Sequence, residues 1–294
     1  MNAQSWLTIA SLQLSAQIDP HGAQLSVLRD GGGRDLLWSG DPAAWAARAP
    51  ILFPIVGTLN GGHFSHCGKA YPLPRHGFAR RRQFEIVCSD GVSATLRLRA
   101  DHATRAVYPF EFELEVQFRV DGPSLHITAS VRNIGSITMP ASLGFHPALR
   151  WPLPYAQPRN QHFIEFESEE PAHARRISAE GLLLAETVPT PILNRRLVLT
   201  DALFESDVLI LDQLRSKSLT YGAAAGTRLH VAFPDATCLG LWSKPGAGFI
   251  CIEPWRGVTD PVGFIGDITD KPGVFLVAPG VAESLRMVTT LRPA

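Results

Sequence analysis

Apolar and polar residues alternate strictly along the middle of the chain. Between residues 110 and 120 every second side chain is Phe, Leu or Val, with Glu, Gln or Arg between them. This period of two predicts a β-strand with one buried and one solvated face. Residues 125–131 repeat the alternation after the turn residues Asp121-Gly122-Pro123. The two segments are therefore predicted to pair as an antiparallel hairpin.

Other short apolar segments, separated by much of the chain's Gly and Pro, also predict strands: residues 94–99, 162–167, 207–211, 229–233, 249–253, 274–277 and 284–291. Helix-like stretches are short, and residues 41–48 are the best of them. Many strands with turn residues between them favour an all-β fold, a large antiparallel β-sandwich with its core between the sheets. Without a linker or a repeat, residues 1–294 are expected to form a single domain.

Composition narrows the classes of partner. The 27 Lys and Arg balance the 27 Asp and Glu, so no global field favours nucleic acid or an anionic membrane. The sequence has no apolar stretch of the length that a membrane span needs. We expect a soluble, cytoplasmic protein, and the sequence predicts no particular oligomeric state. The four cysteines stand singly, which favours reduced thiols over a zinc or redox centre.

Common nucleotide and hydrolase motifs are missing. Gly31-Gly32-Gly33 precedes charged residues instead of opening a helix, and neither a Gly-Lys-Ser/Thr loop nor a Gly-x-Ser-x-Gly elbow occurs. His63 and His66 are three residues apart after a turn signal, and on a strand this spacing puts the two rings on opposite faces. We therefore expect no metal site there.

Two histidines and a glutamate stand among glycines, prolines and aromatics, which is the inventory of a general acid/base site. Each also has a structural alternative. His76, between Arg75 and Gly77, suits a loop histidine that caps backbone groups, and His146, between Phe145 and Pro147, suits a buried neutral ring. Glu253 ends a strand that is apolar on both faces, so its carboxylate is paired, protonated or catalytic. The pairing alternative would use an arginine such as Arg80 or Arg256.

Five further strings stand in order along the chain. They are Ile51-Leu52-Phe53-Pro54-Ile55-Val56-Gly57, Pro74-Arg75-His76-Gly77-Phe78-Ala79-Arg80, Tyr108-Pro109-Phe110, Gly144-Phe145-His146-Pro147 and Ile252-Glu253-Pro254-Trp255-Arg256-Gly257. Together they resemble the aldose 1-epimerase (galactose mutarotase-like) family, and most its LacX-type branch. The match runs from about residue 15 to the C-terminus.

The resemblance implies a β-supersandwich that interconverts the α and β anomers of a free aldose without cofactor or metal. By position, Glu253 matches the base that takes the proton from the C1 hydroxyl, and His146 matches the acid that protonates the ring oxygen. His76 matches a histidine that binds and polarises the sugar, and Asp207 matches an aspartate that binds its hydroxyls. Trp255 suits the apolar face of a pyranose.

One position departs from the family pattern. An arginine that contacts the sugar usually follows the first string, and this chain has Thr58 there. A threonine lacks the charge and the donor fork of a guanidinium, although Arg75 or Arg80 is a candidate to reach the same space. Besides a mutarotase of free sugars, two functions therefore stay open. One is a sugar-phosphate mutarotase that uses Arg75, Arg80 and Arg256, and the other is a sugar-binding module without turnover.

Overall fold

The computed structural model describes residues 6–293, and most of its regular secondary structure is β-strand. In the first half of the chain these are β1 Leu7–Ala10, β2 Leu14–Asp19, β3 Gln24–Asp30, β4 Ile51–Leu52, β5 His63–His66, β6 Lys69–Pro72, β7 Glu85–Ser89, β8 Ser93–Arg99, β9 Phe112–Asp121, β10 Ser124–Asn133, β11 Met139–Ala141, β12 Leu143–Phe145 and β13 Ala148–Arg150. The second half adds β14 His162–Phe166, β15 Ala174–Ile177, β16 Leu183–Val188, β17 Arg196–Val198, β18 Leu209–Leu211, β19 Ser218–Ala223, β20 Arg228–Ala232, β21 Cys238–Trp242, β22 Phe249–Arg256, β23 Phe275–Val277 and β24 Ala282–Arg292.

Two large antiparallel sheets dominate the architecture. One has nine strands in the order β17-β14-β19-β20-β24-β10-β9-β8-β7. The other has eight, in the order β16-β15-β18-β21-β22-β12-β4, with β13 also paired to β22. The predicted all-β, antiparallel class is confirmed.

Helical structure in residues 6–293 is limited to one short α-helix and a few single 3₁₀ turns. The helix α1 spans His102–Val107. It begins with a capping box, in which the Asp101 carboxylate accepts from the Thr104 backbone N–H and the Asp101 backbone N–H donates to the Thr104 hydroxyl. Within residues 6–293 no helix is long and apolar enough to cross a membrane.

The predicted central hairpin is present as β9 and β10. Val120 pairs with Leu125 and Phe118 with Ile127, so the apolar residues of both strands share one face. The first strand begins two residues later than the alternation suggests, because the Phe110 backbone N–H donates to the Tyr108 carbonyl instead of to a neighbouring strand.

The main core lies between the two large sheets. It contains the apolar face of β9 and, from the other sheet, residues such as Leu239, Leu241, Ile250 and Ile252. The alternate residues of β21 and β22 therefore point to the outer side of the eight-stranded sheet. Every residue of β22 up to Trp255 is nevertheless buried, so other parts of the chain cover that outer face. This arrangement creates an enclosed space outside the main core.

One predicted element is wrong. Residues 41–48 form a turn-rich loop instead of a helix. A single helical turn closes where the Trp45 backbone N–H donates to the Asp41 carbonyl. Beyond it, the Trp45 carbonyl accepts from the Trp38 indole and the Arg48 backbone N–H donates to the Gln24 side chain. These tertiary bonds take the groups that a continuing helix would use.

Candidate active site

Strand register sets His146 against Glu253. Gly144 of β12 pairs with Trp255 of β22, and Ala148 of β13 pairs with Cys251 of the same strand. His146 lies midway between Gly144 and Ala148, so the same antiparallel register places it opposite Glu253. Glu253 thus lies within β22, not at a strand end as the sequence predicted. Its neighbour Ile252 points into the main core. Side chains alternate along a strand, so the Glu253 carboxyl faces the outer side of the sheet.

Two glycines make room on this face for the Trp255 ring. A Cβ on Gly240, in the neighbouring strand β21, would stand 2.5 Å from the indole, and a Cβ on Gly144 would stand 2.8 Å from it. Both distances are shorter than any ordinary van der Waals contact. The indole therefore lies over the backbone of both neighbouring strands and forms a flat, apolar floor beside Glu253.

This floor belongs to a cavity of about 270 Å³. All seven site residues predicted from the sequence line the cavity, together with nine further residues: Trp45, Val56, Gly57, Arg75, His76, Arg80, His146, Ile177, Gly181, Asp207, Val208, Ile210, Trp242, Glu253, Trp255 and Thr259. Arg256 does not line it. The Arg256 guanidinium pairs with Glu283 at 2.9 Å, so neither the predicted pairing with Glu253 nor a role at the cavity rim is supported.

The acid/base candidates are in direct contact. His146 Nε2 lies 3.2 Å from Glu253 Oε2, and the two residues are 8% and 1% exposed. Burial raises the pKa of the Glu253 carboxyl well above its usual range, although the Arg75 charge opposes this shift. Burial also lowers the pKa of His146 to about 3, and the charges of Arg75 and Arg80 act in the same direction. Burial therefore favours a neutral pair that shares one transferable proton.

His76 has a defined tautomer. The Gly57 backbone N–H donates to His76 Nδ1 at 3.1 Å, and burial holds the pKa of this ring well below its usual value. A neutral ring that accepts at Nδ1 carries its proton on Nε2. The cap predicted as the structural alternative thus exists, and it leaves an Nε2–H donor. His76 also has φ +65°, and its backbone N–H donates to the Gly57 carbonyl, which holds this unusual conformation in place.

Charged groups of both signs surround the acid/base pair. Asp207, at φ +61° just before β18, accepts from the Val208 backbone N–H through Oδ1 at 2.7 Å. Arg80 donates through Nη2 to the Arg75 carbonyl, and its buried Nε has no hydrogen-bond partner among residues 6–293. Within the part of the chain that the structure describes, neither arginine forms an ion pair with an acidic side chain. Both guanidinium groups therefore remain available to an anionic or hydroxylated ligand.

Two cavity tryptophans were missed from the sequence. The Trp45 ring stacks on the His146 imidazole with centroids 4.9 Å apart, and Trp242 meets the same imidazole edge-on at 6.0 Å. Trp45 lies in the loop wrongly predicted as a helix, so nothing linked it to the site. Trp242 did have a signal in the sequence. It stands two residues after Gly240 on β21, and alternate residues of a strand lie on the same face.

Thr58, which stands where the family usually has an arginine, does not line the cavity. Its backbone N–H donates to Thr259 Oγ1 at 2.9 Å, and the Thr259 hydroxyl donates to the Gly181 carbonyl at 2.6 Å. The position that a Cβ of Gly181 would take is 2.8 Å from Thr58 Oγ1 and 3.7 Å from an Arg75 nitrogen. The Arg75 guanidinium therefore approaches the region beside Thr58.

His63 and His66 lie outside this cavity, on strand β5. His66 Nδ1 is 3.3 Å from Asp267 Oδ1, and His63 is exposed. The two histidines therefore have different surroundings.

A family model and two curated relatives match most of the chain. The family model for aldose 1-epimerase matches residues 6–275. Two proteins of Lactococcus lactis subsp. lactis, "Protein LacX, plasmid" and "Protein LacX, chromosomal", are each 32% identical over 276 residues, which cover 90% of this chain and 92% of each relative.

Solved structures show the same fold. A galactose mutarotase related enzyme from Lactobacillus acidophilus has a TM-score of 0.90 at 28% identity, covering 98% of this chain and 97% of that one. A galactose mutarotase-like protein from Lactobacillus casei has a TM-score of 0.90 at 26% identity, covering 98% and 100%. These similarities confirm the predicted β-sandwich type, and the chain belongs to the aldose 1-epimerase family.

Proposed function

We propose that this protein is a mutarotase, which interconverts the α and β anomers of a free aldose. The observation that carries the proposal is the buried contact between His146 and Glu253 on the wall of a cavity of about 270 Å³. Such a volume is near the lower end for ligand pockets and suits a single sugar ring. Family membership supports the same reaction class.

Ring opening needs one proton removed and one delivered. Glu253, as carboxylate, takes the proton from the C1 hydroxyl while protonated His146 gives one to the ring oxygen, and the bond between C1 and that oxygen breaks to leave an open-chain aldehyde. Rotation about C1–C2 and ring closure run the same transfers in reverse on the other face. Protons balance, so no cofactor is required.

The protonation states of Glu253 and His146 fit this cycle. After ring opening Glu253 is protonated and His146 is neutral, which is the state that burial favours. The Arg75 charge favours the ionised Glu253 but opposes the protonated His146. Hydrogen bonds from sugar hydroxyls to the carboxylate therefore have to stabilise the charged pair that starts the cycle. Each positioned transfer is worth roughly 10²–10⁴-fold in rate.

The remaining cavity residues suit sugar binding. The Trp255 floor offers a flat apolar surface to the C–H face of a pyranose, and Trp45 and Trp242 enclose the imidazole side. His76 offers its Nε2–H to a sugar oxygen, and Asp207 Oδ2 is available to accept from hydroxyls. Arg75 and Arg80 offer the guanidinium donors that Thr58 does not supply.

A sugar phosphate is the second candidate substrate. Arg75 and Arg80 both line the cavity without an acidic partner in the described chain, and paired guanidinium groups bind phosphate well. Arg256, the third arginine considered for this role, forms an ion pair with Glu283 and is no longer a candidate.

Polarimetry tests the proposal and separates the alternatives. Freshly dissolved α-D-glucose, α-D-galactose and glucose 6-phosphate are followed to their equilibrium rotation with and without protein. Acceleration with the free sugars supports the mutarotase, and a clear preference for glucose 6-phosphate assigns the second candidate. If no sugar in the panel is accelerated while sugars still bind by calorimetry, the protein is a binding module and the proposed activity is wrong.

A further inference from the structure

Cys251 adds a third donor to the acid/base pair. It stands two residues before Glu253 on β22, so both side chains lie on the same face of the strand. His146, in the connection between β12 and β13, lies opposite this part of β22. One nitrogen of His146, Cys251 Sγ and one Glu253 oxygen all lie within 4.8 Å of one another. All three residues are buried, and Cys251 is fully so.

We propose that His146, Cys251 and Glu253 form an inhibitory site for a zinc-class divalent cation. The donor set is one imidazole nitrogen, one thiolate sulfur and one carboxylate oxygen, all of which are common zinc ligands. A sulfur ligand discriminates against Mg²⁺ and Ca²⁺, which prefer oxygen donors only. Three protein ligands with one open position make up the arrangement of zinc sites that also bind water or a small molecule.

The distances need little adjustment. With zinc bonds of about 2.0–2.3 Å, ligand atoms of a tetrahedral site stand roughly 3.5 Å apart. His146 Nε2 and Glu253 Oε2 are already 3.2 Å apart. The longest separation in the group is within 4.8 Å, so a shift of about 1 Å by the Cys251 side chain closes the site. The fourth position faces the cavity, where water or a sugar hydroxyl completes the coordination.

Such an ion would block the proposed reaction. It occupies the carboxylate oxygen that takes the C1 proton and the imidazole nitrogen that serves the ring oxygen, so the pair can no longer transfer protons. The inhibition rests on the proposed function, whereas metal binding does not. Cys251 is not among the cavity-lining residues, so its removal should abolish the metal site and leave sugar turnover intact.

Cobalt spectroscopy tests the binding without any sugar. The protein is treated with a chelator, its two exposed cysteines Cys67 and Cys88 are replaced by serine, and Co²⁺ is added. We expect a near-ultraviolet thiolate-to-cobalt charge-transfer band that Zn²⁺ abolishes by competition. Cys251→Ala should remove the band, and Cys251→Ser serves as a near-isosteric second variant. The matched control is Cys238→Ala, because Cys238 is also buried on the outer face of this sheet but pairs opposite Trp255.

The outcomes are distinct. A cobalt band that persists in both Cys251 variants, or no band in the parent protein, overturns the proposal. In the activity arm, Zn²⁺ should inhibit mutarotation by the parent and by Cys238→Ala, and Cys251→Ala should need at least about tenfold more Zn²⁺, since even outer-shell partners change metal affinity 10–100-fold. Equal inhibition of all three also overturns it. A thiolate band in a protein that never accelerates mutarotation would refute the proposed function and leave the metal site standing.

Discussion

His146, in the short connection between β12 and β13, faces Glu253 on β22, with Nε2 and Oε2 3.2 Å apart. The residues are 107 positions apart in the chain, and only the register of β22 with its neighbours brings them together. Both side chains point away from the main core and lie on the covered outer face of the eight-stranded sheet. Their chemistry therefore depends on a cavity that is separate from the packing that holds the sandwich together.

Glu253→Gln should nearly abolish acceleration of mutarotation. The amide has the shape of the acid but cannot take the C1 proton, so the rate should fall by roughly 10²–10⁴-fold. Polarimetry with α-D-glucose measures the rate, and far-ultraviolet circular dichroism checks the fold. The matched control is Glu169→Gln at an exposed position. A fully active Glu253→Gln protein would remove Glu253 from the base role.

His146→Asn should cause a loss of similar size, because asparagine cannot deliver a proton to the ring oxygen. His63→Asn, an exposed histidine away from the cavity, is the control. Retained activity in His146→Asn would assign the acid to another group. The nearest candidate is His76, whose ring centroid is 5.6 Å from that of His146.

The pH profile should lack the acid limb of an ordinary histidine. The pair holds one transferable proton, and a second proton binds only as the pH approaches the lowered pKa of His146, about 3. An unperturbed histidine would titrate near 6.5. We expect kcat/KM, corrected for the spontaneous reaction, to stay level from about pH 7 to about pH 5. A fall in kcat/KM centred between about pH 5 and about pH 7 would contradict the neutral, buried state of the pair.

Gly240→Ala should displace the tryptophan floor. The new Cβ would stand 2.5 Å from the Trp255 ring, and relief of such a clash typically costs about 1–3 kcal/mol. Urea denaturation should show this loss of stability, and KM should rise because the ring no longer lies flat beside Glu253. Gly32→Ala is the control, since its Cβ meets chiefly the flexible end of Arg34. A variant with unchanged stability and KM would show that the floor is not needed in this position.

Lys271→Met should destabilise the whole protein. Lys271 Nζ lies 2.6 Å from Asp260 Oδ1, with the two side chains 1% and 4% exposed, and the ammonium also donates to the Val258 carbonyl. Removing the lysine leaves a buried, unpaired carboxylate, for which a loss of about 3–5 kcal/mol is expected.

The exposed pair Arg29–Asp35 provides the comparison for this change. Its atoms are 2.7 Å apart but both side chains are nearly half exposed, so Arg29→Met should cost less than about 1 kcal/mol. Urea denaturation of both variants gives the two values. Equal losses would show that burial of the Lys271–Asp260 pair has no special energetic role.

The predicted elements differed in how far local pattern decides them. The β9–β10 hairpin was predicted with its turn and its buried face, because strict alternation and a Gly-Pro turn act over neighbouring residues. Residues 41–48 were predicted as a helix and form a loop, because Trp38 and Gln24 bind backbone groups that local propensity assigns to a helix. Long-range hydrogen bonds leave no periodic trace in the sequence.

By itself, the sequence determined the fold class, the strand alternation and the residue types of an acid/base site, since these depend on local hydrophobic spacing and on short motifs. Only the tertiary structure decided that His146 meets Glu253 directly, that Trp45 and Trp242 enclose the imidazole, and that Arg256 turns away to Glu283. Pairing register and coverage of the outer sheet face bring together residues that are far apart in the chain, and burial in that space then shifts their pKa values. No pattern of neighbouring residues contains these distances.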